Sequence, residues 1–103
     1  MYVNLDADGA VVQDADDCTR LHLVTALDGD ALRRALYDTG AGELAPDGAV
    51  WLDLAVLRSR AKLVATAPDW ERRWDGMTAR AVDEGWVSVD GRSVRVHVEP
   101  LTY

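Results

Sequence analysis

The 103-residue chain has no phenylalanine, one cysteine, one lysine and three prolines. Its lone thiol, Cys18, cannot form an internal disulfide. With no Cys-x-x-Cys or His-x-x-x-His pair, the sequence offers no structural zinc site. Apolar runs long enough to span a bilayer are missing. The stretch MYVNLDADGA has neither the basic nor the apolar region of a secretory leader, so the expected setting is cytoplasmic. Repeats and low-complexity linkers are absent, and residues 1–103 are expected to form a single domain. Positive charge is in short supply, with 11 Lys and Arg against 18 Asp and Glu, a net charge of −7. The deficit lies in residues 1–48, where ten acids face only Arg20, Arg33 and Arg34; residues 49–103 balance eight against eight. Such a chain repels phosphate backbones and gains little from counterion release, so nucleic acid is not the expected partner. Ten of the 11 basic residues are Arg, a usage typical of high-GC genomes such as those of actinobacteria.

Catalytic vocabulary is equally thin. Ser59, Ser88 and Ser93 lie in no nucleophile motif, and Cys18 has no neighbour in sequence to activate it. The glycines of DGDALRR and DTGAG lack the Lys-Ser/Thr of a phosphate loop. Cys18 and His22 are four apart, too far along a strand to chelate one metal. No catalytic, cofactor-binding or metal-binding residue is expected.

What the chain does contain is an ordinary globular balance, 49% hydrophobic and 28% charged. A chain of this length buries roughly 60–70% of its unfolded surface without a staple. The segment YVNLDADGAVVQ alternates as a hairpin with Asp8-Gly9 in the turn, which sets Leu5 against Val12 and Asn4 against Gln13. Within it, residues 4–15 resemble the start of an EF-hand calcium loop. Asn4, Asp6 and Asp8 fall on the first three ligand positions, Gly9 on the turn and Val11 on the hydrophobic position. The resemblance would imply bound calcium, but Ala15 occupies the place of the bidentate Glu and only three residues precede Asn4. The expectation is an acidic turn and no specific metal.

DADD then turns the chain toward a third strand around RLHLVT. A helix is expected in DGDALRRALYDTG, capped by Asp28 or Asp30, with Leu32, Ala35 and Leu36 inward and Gly40 at its end. AVWL reads as a short strand or a first helical turn. Asp53 caps a second helix carrying Leu54, Leu57, Ala61 and Val64 on one face, with Arg58, Arg60 and Lys62 pointing away. The third helix opens on a Thr66/Asp69 capping box with Pro68 in its first turn, and carries Trp70, Trp74, Met77 and Ala81 as its inward stripe as far as about Glu84. WVSVDGRSVRVHVE gives a second hairpin about an Asp90-Gly91 type I′ turn. Its register puts the valines on one face and Trp86, Arg95, His97 and Glu99 on the other, with Trp86 across from Arg95 as a cation–π pair.

Read end to end, residues 28–98 resemble the winged helix-turn-helix family in the order of their elements. The resemblance implies that PDWERRWDGMTARAVDEGWVSVDGRSVRVHV, residues 68–98, supplies recognition helix and wing, and that Arg72, Arg73, Arg92 and Arg95 meet DNA phosphates. The would-be recognition helix departs from that pattern, with Asp69, Glu71, Asp75, Asp83 and Glu84 against Arg72, Arg73 and Arg80. The fold expected is α+β: three helices packed on a C-terminal hairpin whose valine face meets the Trp70/Trp74/Met77 stripe, with an N-terminal hairpin or strand. The function expected is a non-catalytic protein-interaction or accessory domain that binds a protein partner or self-associates as a homodimer, with a winged-helix DNA-binding regulator as the alternative. Its contact surface is expected to comprise Trp86, Arg95 and His97 with the Arg72/Arg80 helix edge, and Trp51 is a further candidate at an element edge.

Overall fold

Alternation of apolar and polar residues at period two makes strands of three N-terminal segments: β1 (Tyr2–Asp6), β2 (Gly9–Gln13) and β3 (His22–Thr25). The computed structural model describes residues 1–101. The β1–β2 hairpin forms, but its register differs from the expected one by two residues: Leu5 faces Ala10, Val3 faces Val12 and Asn4 faces Val11. The Asp6 carboxylate causes the shift. Its Oδ1 accepts the amides of Asp8 (2.8 Å) and Gly9 (2.9 Å), so Ala7 and Asp8 form the turn in place of Asp8 and Gly9. A slip of two preserves the faces, and Val3, Leu5 and Val12 are all buried.

The chain continues as α1 (Gly29–Thr39), β4 (Gly42–Leu44), β5 (Val50–Asp53), α2 (Leu54–Val64), α3 (Trp70–Asp83) and β6 (Ser93–Pro100). The ambiguous AVWL segment is strand, and it runs into α2 without a loop because Asp53 serves both as the last strand residue and as the helix N-cap, accepting the Val56 amide (2.9 Å). Helix α1 buries Leu32, Ala35 and Leu36 and ends at Gly40 as expected, although Asp28 at its N-cap makes no side-chain capping bond. Helix α2 buries Leu57 and Ala61, whereas Val64, at its last turn, is exposed. Gly42 is obligatory by close approach: a Cβ there would lie 2.0 Å from the carbonyl oxygen of Trp51 on the neighbouring strand.

The six strands form one mixed sheet in the order β2-β1-β3-β6-β5-β4. β3 lies parallel to both β1 and β6; the other pairings are antiparallel. The C-terminal strand is thus the interior of the sheet rather than one arm of a free-standing hairpin. Its expected partner arm is reduced to one bridge, Val87 opposite Val94, while β3 and β5 supply the remaining neighbours of β6. The turn is also not type I′, which needs positive φ at both central residues. Among the described residues Asp14 is the only non-glycine at positive φ. Gly91 (φ +74°) instead follows a turn in which its amide donates to the Ser88 carbonyl (2.9 Å), and the Asp90 carboxylate accepts the Ser88 hydroxyl (2.6 Å) and the Arg92 amide (3.0 Å).

One face of the sheet contributes Val3, Leu5, Leu23, Val50, Leu52, Val94 and Val96 to a core completed by Leu36, Leu57, Ala61, Trp70 and Trp74. Full burial of each Leu is worth about 1.5–3 kcal/mol. Met77 packs only partly buried against this core. Among the described residues no helix is long and apolar enough to cross a membrane.

The acidic run between β2 and β3 has a packing role that its sequence does not announce. Asp16 accepts the Thr66 amide (2.9 Å), the Thr66 hydroxyl (2.7 Å) and the Ala67 amide (2.9 Å), some fifty residues downstream. The Ala15 carbonyl accepts the Trp70 indole N–H (2.8 Å), and the Asp16 carbonyl accepts from Arg73 (3.1 Å). The expected Thr66/Asp69 capping box therefore does not form. Thr66 is committed to Asp16, and the Asp69 carboxylate pairs with Arg73 Nε (3.1 Å) without making a capping bond.

Candidate interaction face

The sheet face opposite the core is built by the same alternation. On β6, Val94 and Val96 point inward, so Arg95, His97 and Glu99 point outward. The pairing registers extend these positions into rows. Glu43, Trp51, Arg95 and Trp86 align across β4, β5, β6 and the bridging arm. Gln13, Tyr2, His22 and His97 align across β2, β1, β3 and β6, and Val11, Asn4, Val24 and Glu99 form the row beside them.

These rows are tied laterally. The Tyr2 hydroxyl donates to Gln13 Oε1 (2.9 Å), the Tyr2 and His22 rings stack with centroids 5.3 Å apart at 23°, and His22 Nε2 lies 3.6 Å from Glu99 Oε2. Arg95 and Trp86 meet through the backbone, the Arg95 amide donating to the Trp86 carbonyl (2.7 Å). Among the described residues the cation–π contact lies elsewhere, Arg58 over Trp70 at 5.9 Å. Trp86 is 44% exposed and Trp51 is half-buried. A groove of about 550 Å³ runs along β6, walled by Trp86 and Leu21 on one side and Asp47 and Ala49 on the other, with Arg95 and His97 between them.

Trp86, Arg95 and His97, proposed from sequence as one surface, thus line one groove. Arg72 and Arg80 do not join them. Arg80 borders a separate depression of about 620 Å³ with Cys18, Thr19, Arg73 and Met77, and Arg72 is exposed on α3 and lines neither. Of the other arginines assigned to phosphate contact, Arg73 is engaged by Asp69 and the Asp16 carbonyl, and Arg92 is exposed in the β6 turn. Tyr2 and His22 were not singled out for this face. Their outward phase is readable from β1 and β3, but only the strand order brings those strands beside β6.

Elsewhere the titratable groups serve structure. Hydrogen bonds from the Thr66 hydroxyl and the Ala67 amide hold the Asp16 carboxyl below its usual value, and the Lys62 ammonium, at 3.0 Å, does the same for Glu71. Burial pushes the Cys18 thiol up, away from the reactive thiolate. Asp6, which leads the calcium-like spacing, is occupied in its own turn. Among the described residues no group of three or more His, Cys, Asp or Glu converges as metal ligands. Comparison with family models, curated proteins and solved structures finds no match to this chain.

Proposed function

We propose that this domain is a non-catalytic protein-interaction module that uses its outward sheet face. The observation carrying the reading is the Trp51–Arg95–Trp86 row, flanked by Tyr2, His22 and His97. Trp, Tyr and Arg are the side chains that concentrate binding energy in protein interfaces, and a rigid sheet presents them at little cost in conformational entropy. Asp6 and Asp16 are engaged in the turn and the dock, while Glu43 and Asp47 border the face beside Arg95, so that it is aromatic and mixed in charge. A cytoplasmic setting fits the single unpaired thiol.

The test is chemical cross-linking in cells of the source organism, with sedimentation velocity of the purified domain, comparing wild type with a Trp86→Ala/Arg95→Ala double variant. Loss of a defined cross-linked partner, or of self-association, supports the face. Unchanged partners and unchanged self-association sink it. The rival reading, a winged-helix DNA-binding regulator, draws on the α1–β4–β5–α2–α3–β6 order and on exposed Arg72 and Arg92. It requires binding to random duplex DNA that weakens steeply with salt, and no binding at low salt ends it.

A further inference from the structure

The two edges of the sheet are guarded differently. β4 closes one edge with three residues, carries Glu43, and is followed two residues on by Pro46. Short length, charge and proline are the devices that keep an edge from pairing with foreign strands. β2 closes the other edge with five residues, GAVVQ, and has none of these devices. It pairs only with β1, and among the described residues no backbone group of residues 10–13 bonds to anything beyond that strand. The amides and carbonyls on its far side are therefore open to a partner. Apolar surface lies on both sides of the edge. Val11 is 56% exposed on the outward face, and Val64, 57% exposed, borders a depression of about 610 Å³ beside Val12 on the core side. Charge brackets the same strand. Residues 6–17 hold five aspartates and no basic side chain. Asp6 is used in the turn, Asp16 has Arg73 beside it, and Asp17 has the N-terminal ammonium and Arg20. Asp8 and Asp14, immediately before and after β2, are exposed and in no ion pair among the described residues.

From this arrangement we infer that β2 is a docking edge for an extended segment of a partner protein, added to the sheet as a further strand, with apolar side chains at its centre and Lys or Arg at each end. This edge is a second surface, separate from the outward face proposed above. Backbone hydrogen bonds to residues 10–13 hold the segment, its alternate side chains meet Val11 on one side and Val64 on the other, and the flanking charges select it. Asp8 and Asp14 are six positions apart, about 20 Å along a strand, so the partner's cations are separated by roughly five residues. A second copy of this chain is the wrong occupant. Two copies of β2 laid antiparallel about Val11 would set Asp8 of each against Asp14 of the other, in a chain already carrying −7.

The experiment uses fluorescein-labelled peptide pools whose centre, matched in length to β2, is drawn from Val, Ile, Thr and Tyr and is flanked on both sides by Lys, Gln or Glu. Binding is read by fluorescence anisotropy at low salt, and the site by amide hydrogen exchange. The Lys-flanked pool is expected to bind the wild-type domain about fivefold more tightly than the Gln-flanked pool, with the Glu-flanked pool weakest. Proline in the middle of the centre should abolish binding, because it removes a ladder amide. Amides of β2 should gain protection on binding while those of β4 do not. Asp8→Asn/Asp14→Asn should lower the Lys pool to the affinity of the Gln pool, and Val11→Lys, which supplies the missing guard, should weaken every pool. Both variants should keep the thermal midpoint, since all three side chains are exposed. No binding by any pool, equal affinity for Lys and Glu flanks, binding that survives proline, or protection gained only outside β2 overturns the inference. Self-association abolished by Val11→Lys also overturns it, because the occupant is then a second copy. If Trp86→Ala/Arg95→Ala abolishes peptide binding, the segment sits on the outward face, and the edge assignment falls while the proposed function stands.

Discussion

The two Asp-Gly hairpins begin from the same dipeptide and end as different structures. At the N-terminus both arms are full strands, joined over five register pairs, and the Asp6 side chain closes the turn. At the C-terminus the first arm forms a single bridge, and the second becomes β6, held on both sides by strands distant in sequence. A turn signal therefore specifies that the chain reverses. Whether both arms become strands depends on what else can pair with them. The valines of β6 found β3 and β5, leaving Trp86 and Val89 beside the sheet, with Val89 fully exposed.

This contrast can be broken in graded steps. Leu5→Ala removes a side chain buried beneath the N-terminal hairpin and is expected to cost about 2–5 kcal/mol in urea unfolding. A loss below that range would show the hairpin to be a satellite of the core rather than part of it.

Asp6→Ala deletes the acceptor of two turn amides and should cost about 1 kcal/mol. The Asp8 and Gly9 amides should then exchange faster with solvent while those of β6 do not.

Asp16→Asn acts on the link between the N-terminal hairpin and α3, and is expected to lower the thermal midpoint at neutral pH. In the wild type, hydrogen bonds hold the Asp16 carboxyl below its usual 3.8. Its contribution is therefore complete above that value and is lost as pH falls through the lower folded-state value. Midpoints recorded between about pH 5 and about pH 2 should converge for wild type and variant at the acid end. A constant gap across that range would show that the carboxylate charge is not what docks α3.

At the C-terminal tip, Val89→Ala should change stability by less than about 0.5 kcal/mol. A larger loss would mean that the tip packs against something in solution.

The helices were largely legible because their signals are local. Leu32, Ala35 and Leu36 in α1, and Trp70, Trp74 and Ala81 in α3, recur at helical spacing and are buried as that spacing requires. Asp53 and Gly40 mark ends that the structure keeps. The turns were half legible: Asp-Gly announced both reversals, but Asp6 and Asp90 accept backbone amides with their side chains, and that competition set the turn geometry. The Thr66/Asp69 box failed for a different reason. A local capping partner lost to Asp16, whose two carboxylate oxygens satisfy three donors at once.

The candidate face was legible on one strand only. Alternation along β6 places Arg95, His97 and Glu99 on one side and their register with Trp86 follows from the turn, but nothing in β1 or β3 says which strand they adjoin.

The sequence by itself determined the charge imbalance, the three helices with their inward stripes, the two reversals and the phase of the strands beside them, because all of these depend on residues within a few positions of one another; β4 (Gly42–Leu44) lies in AGELAPDG, whose Gly, Pro and Asp read as a loop. Tertiary structure alone decided the strand order, the central place of β6, the docking of Asp16 onto the start of α3 and the Trp51–Arg95–Trp86 row. Each of those joins residues far apart in the chain, where the choice of partner depends on which pairing buries the shared apolar face, and no local pattern records it.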